Sequence, residues 1–578
     1  MKPWLVLSIL SLLFTALAVN APSKKEVWTQ WGANPQHTGS IPVSGQSLQK
    51  KLAAFRYDPF VKQETKDFAG LGVPAHFQVP LIEGNDVFME FKTGKWIPCH
   101  PPLAWENGKH CGPNTWYTEI WNEKRLVWRQ GKLVETWTFT SDWKPEPNGF
   151  PTGLSAFEPV FHPALTKSFL YVPGSGGTIW KVDKGNGKPV SHINPFGSTV
   201  DVHKYVSGPL TADPKGNIYF NVLKLANASD PWYTHDVQGA WLVKVATDDT
   251  TATVTYHTLV PHAPPPKGNC PGTFFDPKTL PWPPSRTAKP VPVPCGSQRP
   301  GVNVAPAIAP DGTIYTVSRA HHDPLAGYLV AVNPDLSAKW QASMQQRFHD
   351  GCGVIVPIAT HKRQPNACRE GAKEGVDPNT NEFGTAQVLD YTSAGPVVLP
   401  DGNVLIAGGN SYGQGGGHLM KFTPAGEYLT AYPYGYDLTA AVYPHDGTYS
   451  MVLKENHYPV GLYCYFPNNI YCKPLVPVYY ITQLNGDLKV EWKFKDPTVD
   501  RKHPHGFEWC VNEAAIDGQG NVYVNSEDGN LYELDHAGKL ASKLFLQLAI
   551  GAAYTPSSIG PDGTIYTQND GVMFAIGQ

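Results

Sequence analysis

What this 578-residue chain lacks narrows it first. It has no CxxC or CxxCH, so neither a zinc ribbon nor covalently attached c-type haem is indicated. It has no HExxH helix signature. After the N-terminus there is no apolar run of about 20 residues, so no second segment reads as a membrane span. Charge of either sign is not in excess: 46 Lys and Arg stand against 49 Asp and Glu, a net of −3. A near-neutral chain of this size gives no support for binding nucleic acid or an anionic membrane surface.

The one long apolar run sits at the start. "MKPWLVLSILSLLFTALAVNA" places one Lys before an apolar stretch from Trp4 to Ala18, with small residues at Ala16/Ala18 and Val19/Ala21. This is the physics of a secretory leader, residues 1–21. Its removal takes away Lys2 alone, leaving 45 basic against 49 acidic residues, a net of −4. The mature part, 22–578, is expected to be secreted or periplasmic, a monomer without a transmembrane segment.

Export makes disulfides plausible. Nine Cys lie in the mature part. Sequence neighbours suggest local staples Cys99–Cys111, Cys270–Cys295, Cys352–Cys368 and Cys464–Cys472, with Cys510 left over.

Gly and Pro are abundant, at 55 each, which reads as many turns between short strands. The turns repeat. "PDGTIYT" occurs at Pro310–Thr316 and again, letter for letter, at Pro561–Thr567. Related phrases are "DPKGNIYF" (Asp213–Phe220), "PDGNVLI" (Pro400–Ile406) and "DGQGNVYV" (Asp517–Val524), with looser copies near Glu83, Pro163 and Pro444. Asp-Gly and Gly-Asn supply the positive φ of a tight hairpin turn. Alternating apolar and β-branched residues then suit a strand. Eight such units, at a shortest spacing of about 45 residues, predict an all-β, eight-bladed β-propeller of four-stranded antiparallel blades. The last unit lacks a fourth strand, and "KLAAFRY" (Lys51–Tyr57) is expected to supply it, closing the last blade with an N-terminal strand.

Two stretches resemble a known family. "WTQWGANPQHTGS" (Trp28–Ser40) is similar to the opening strand of quinoprotein-like, or PQQ-repeat, propellers, and "GNVYVNSEDGNLYELDHAGK" (Gly520–Lys539) resembles their repeat. The family includes quinone-dependent alcohol dehydrogenases and non-enzymatic assembly propellers of the bacterial envelope. The resemblance implies the propeller fold and raises PQQ with calcium as a cofactor. The adjacent cysteines that pack on the quinone ring in those dehydrogenases are absent here.

In a propeller the A–B turns share one face and the B–C and D–A connections share the other. Nearly every long insertion belongs to the second, or top, face, which is where function is normally mounted. Histidines stand out there. The expected metal ligands are His76, His203, His322, His349, His505 and Glu508, joining copper or another transition metal in an axial funnel. Asp390, Tyr391 and His457 are the expected substrate-binding residues. No residue is singled out as catalytic. The ordinary reading of any one loop histidine is a surface hydrogen-bonding group. Two functions follow: an oxidoreductase acting on a small molecule with a metal or quinone in the funnel, or a binding propeller for an envelope protein or polysaccharide. PQQ with calcium ranks behind a transition metal.

Overall fold

A computed structural model describes residues 26–67, 78–97, 118–145, 161–226, 235–274, 284–349, 371, 373, 375–377, 379–390, 394–409, 416–457, 477–509, 511–549 and 556–578. It is an eight-bladed propeller of antiparallel sheets. Strands are lettered A to D outward from the axis. Blade one is Leu81–Glu83, Asp86–Gly94, Glu119–Arg129 and Lys132–Thr140, with Glu26–Trp28 added inside strand A. Blade three has B and C strands Ile218–Lys224 and Gly239–Val245, and blade four has Ile314–Ala320 and Gly327–Val332. Blade six pairs Thr448–His457 with Val478–Asn485. Blade eight is Ser558–Ile559, Ile565–Asn569 and Val572–Gly577, and its outermost strand is Lys50–Arg56, antiparallel to Val572–Gly577 with Ala54 opposite Phe574. Among the described residues no helix is long and apolar enough to cross a membrane.

The repeated turn has one physical cause. In "PDGTIYT" the Asp311 carboxylate accepts from Thr313 N at 2.9 Å, and Gly312 takes φ +86°, where a side chain is strained. Asp562 and Gly563 repeat this in blade eight, with Thr564 N 3.0 Å from the carboxylate and φ +84° at the glycine. The Ile and Tyr that follow are buried in both copies, which alternation alone requires of a strand packed on both faces.

Neighbouring blades are joined by tryptophan. Trp137, Trp340 and Trp492, each on a D strand, donate their indole N–H to Lys184 O, Pro424 O and His536 O at the C–D corner of the next blade, at 2.9, 2.9 and 3.0 Å. The ring lies over a corner glycine, Gly187, Gly426 or Gly538, with no room for a Cβ.

The "WTQWGANPQHTGS" stretch winds around the axis, touching one inner strand after another. Leu165 N of blade two donates to Thr29 O (2.8 Å), and Ala212 N of blade three to Gln30 Oε1 (2.6 Å). Ile308 N of blade four donates to Pro35 O (2.6 Å), and Val398 N of blade five to Gln36 O (2.9 Å). Val442 N of blade six and Ile516 N of blade seven donate to Thr38 O (2.7 Å) and Gly39 O (2.9 Å). These bonds satisfy the inner-strand amides that face the axis, where no further strand can pair.

Candidate metal centre

The B–C loops of blades three and four meet on the face opposite the A–B turns. Asp236 comes from the first loop, His321 and His322 from the second. Their ligand atoms lie within 4.8 Å of one another, and among the described residues they are the one group of three or more His, Cys, Asp or Glu side chains that does so. The two imidazole rings are 4.7 Å apart, centroid to centroid.

Each group is held by backbone that the fold places nearby. The Asp236 carboxylate accepts from Ser297 N (2.8 Å), Ser297 Oγ (2.6 Å) and Val237 N (2.9 Å). Behind His321 lies a buried ion pair. Arg299, on a short strand paired with the end of strand B of blade four, makes a bidentate contact to Asp390 at 2.7 and 2.6 Å. Arg319 adds a third contact at 2.9 Å. Burial alone would raise the Asp390 pKa, and the two guanidiniums outweigh it, so the carboxyl sits below its usual range. Arg299 Nε then donates to His321 Nδ1 at 3.0 Å, which leaves the proton of that neutral ring on Nε2. Coordination by His321 therefore displaces the Arg299 bond, at about 1–3 kcal/mol. His322 is half-buried. Burial lowers its pKa, with Arg299 and Arg319 adding to the effect and Asp236 opposing it. A neutral imidazole beside a carboxylate is what a metal needs.

The other expected residues are spread around the ring. His203 is exposed on the connection into blade three. His349 is exposed and rests edge-on against Phe383 at 5.8 Å. His505 and Glu508 lie on the connection between blades six and seven and belong to no ligand cluster with His322. Of the six expected ligands, His322 alone belongs to the group formed with Asp236 and His321. Asp390 is buried and holds Arg299 and Arg319 behind His321. His457 is buried at the end of strand B of blade six, its Nε2 2.6 Å from Glu455, whose carboxylate also accepts from Tyr432, Thr482 and Lys493. His76, Tyr391, Cys99, Cys111, Cys352, Cys368, Cys464 and Cys472 fall outside the described residues. The Cys270–Cys295 disulfide is present.

Asp236 had no spacing to flag it, being one of two acidic residues, with Asp230, in the same loop. "GNSYG" at Gly409–Gly413 spells the nucleophile-elbow pattern, but it joins two antiparallel strands of blade five, not a strand to a helix. A cavity of about 980 Å³ opens on the A–B turn face, between Thr29–Val43 and blades two and three. Beside the winding segment lie three buried titratable groups. Burial lowers His37 to about 4 and His162 to about 3, so both rings are neutral at pH 7, and it raises Glu513 well above the usual carboxylate value.

The sequence matches no established family model and no curated protein. Similar solved structures are the quinohemoprotein alcohol dehydrogenase of Comamonas testosteroni (TM-score 0.52, 11% identity, 97% of this chain and 78% of that one) and a europium-containing methanol dehydrogenase (TM-score 0.48, 10% identity, 93% and 89%). BamB from Moraxella catarrhalis is a further match (TM-score 0.37, 11% identity, 92% and 99%). At this identity the likeness speaks to the fold.

Proposed function

We propose that this chain, built on the eight-bladed fold of the quinoprotein-type propellers, is an exported oxidoreductase that holds one transition-metal ion at Asp236, His321 and His322 on its top face. The observation that carries the reading is the convergence of two imidazoles and one carboxylate within 4.8 Å. Two His and one carboxylate with open positions suit iron(II), copper(II) or zinc, and iron or copper brings redox chemistry. When bound, the ion supplies Lewis acidity and one-electron exchange to a small molecule at an open position. The protein's own part is to hold the three ligands, with Arg299, fixed by Asp390, occupying His321 Nδ1 until an ion displaces it.

PQQ with calcium does not fit these residues. Calcium takes oxygen ligands, and this donor set is mostly nitrogen. The chain has no adjacent cysteines, and its Cys270–Cys295 pair is buried against Ala320 and Ala326.

The test is metal analysis of the native protein, followed by copper(II) and iron(II) titration read by absorption and electron paramagnetic resonance. One ion per chain, lost in a folded His322→Ala variant, is the expected result. A native protein that carries no metal and takes up none sinks the reading and leaves the binding propeller for an envelope protein or polysaccharide.

A further inference from the structure

The long insertion that precedes blade four ends in Cys295-Gly296-Ser297. This tripeptide touches every member of the Asp236, His321 and His322 group. Cys295 O accepts from His322 N at 2.9 Å, and Ser297 O accepts from His321 N at 3.0 Å. Ser297 N and Oγ donate to Asp236 at 2.8 and 2.6 Å. Gly296, between them, has φ +73°, and a Cβ there would stand 2.8 Å from both His321 Cβ and His322 Cδ2. The histidines thus pack onto its bare backbone.

The tripeptide is itself anchored from behind. Cys295 N donates to Gly268 O at 3.1 Å and Gly296 N to Pro266 O at 2.9 Å. A two-residue ladder pairs Asn269 with Pro294 and Cys270 with Val293. The disulfide to Cys270 closes this end, and both sulfurs are buried. A ladder of two residue pairs is marginal in water by itself. The disulfide adds a covalent anchor behind the tripeptide, whose front edge continues the pairing of Gln298–Arg299 with the end of strand B.

We infer that Cys295–Ser297, locked by the Cys270–Cys295 disulfide, is the positioning element of the site, presetting the two histidines and Asp236 before any ligand arrives. The inference rests on the cation reading for its function, but its geometry is a property of the metal-free protein. Ser297 acts through Asp236, and Cys295 through the backbone of His322. Both are positioning residues.

Two measurements on the full-length protein separate the claims. The first is hydrogen exchange at the histidine C2 position in metal-free protein, comparing wild type with the Cys270→Ser/Cys295→Ser pair. Exchange at His321 and His322 is expected to quicken at least several-fold, while buried His37 and His162 stay unchanged as a control for folding. Equal rates at His321 and His322 overturn the inference, and so does a general rise at all four.

The second is zinc affinity by competition titration at one fixed pH. Ser297→Ala removes one of the donors that hold the Asp236 carboxylate in place, and zinc affinity is expected to fall several-fold. Ser297→Thr keeps the hydroxyl and is expected to restore it. An unchanged affinity in Ser297→Ala overturns the role given to Ser297. If the exchange result holds but wild type binds no zinc, copper or iron, the clamp stands and the cation reading falls.

Discussion

At the seam between blade eight and blade one, Lys92 is ringed by acids. Its Nζ lies 2.9 Å from Asp58, 3.5 Å from Glu119 and 3.9 Å from Glu64, and all four side chains are fully buried. Glu90 is two residues away on the same strand, 2% exposed. One ammonium cannot neutralise four carboxylates, so some stay protonated. Burial raises Glu90 to about 8, with Lys92 opposing and Asp58 adding to it. Burial likewise raises Glu119 to about 7. Tyr57 and Asp570 also face this seam, and both are raised, chiefly by burial.

The sign follows from linkage. A carboxyl raised on folding binds its proton in the folded state over a range where the unfolded chain has lost it. Stability therefore falls as pH rises from about 4.5 to 8 and is flat above. For Glu90 a shift from 4.5 to about 8 is worth about 5 kcal/mol across that window. Lys92, raised from its usual value, stays charged throughout and adds no slope below pH 10. Glu90→Gln imitates the protonated form. It is expected to match wild type near pH 5 and to exceed it by several kcal/mol at pH 9. Thermal and urea unfolding at pH 5, 7 and 9, followed by tryptophan fluorescence, measures this. Parallel curves for the two proteins across the range, or a wild type that gains stability toward pH 9, refute the reasoning.

Two further outcomes are expected. If zinc occupies the proposed centre, acid should release it only below about pH 6.5, the ordinary imidazole midpoint, because burial with the two arginines outweighs Asp236 and depresses His322; release at or above that point contradicts it. Gly426→Ala places a Cβ at φ +88° and 2.8 Å from the Trp340 ring, so melting should fall by several degrees, about 2–3 kcal/mol, and an unchanged melting curve argues against the tryptophan dock as a stabilising contact.

The fold was legible because its signals are local. An Asp that accepts from the amide two residues on, followed by a Gly free to take positive φ, marks five of the eight turns within four residues of chain, and looser phrases mark the rest. The alternation after it marks the strand. Counting those phrases counts the blades. The Cys270–Cys295 staple was legible for a related reason, since a 25-residue separation inside one insertion keeps the two near each other. The tryptophan docks were half legible. "DHAGK" shows a corner, but "TPAGE" at Thr423–Glu427 does not look like one until Trp340 of the previous blade is seen resting on Gly426.

The site was not legible in the same way. His321 and His322 stand out as a pair, but Asp236 precedes them by 85 positions and Asp390 follows by nearly 70, with no motif linking them. His203, His349 and His505 look as eligible as His322 on paper. The chain alone determines that there are eight blades, where their turns fall, and which face carries the long loops, because backbone conformation and strand periodicity are set by near neighbours. Which of those loops touch, and hence that Asp236 meets His321 and His322 while His203, His349 and His505 lie elsewhere, was decided by blade adjacency around the ring. That adjacency is set by packing between sheets, which no short stretch of sequence contains.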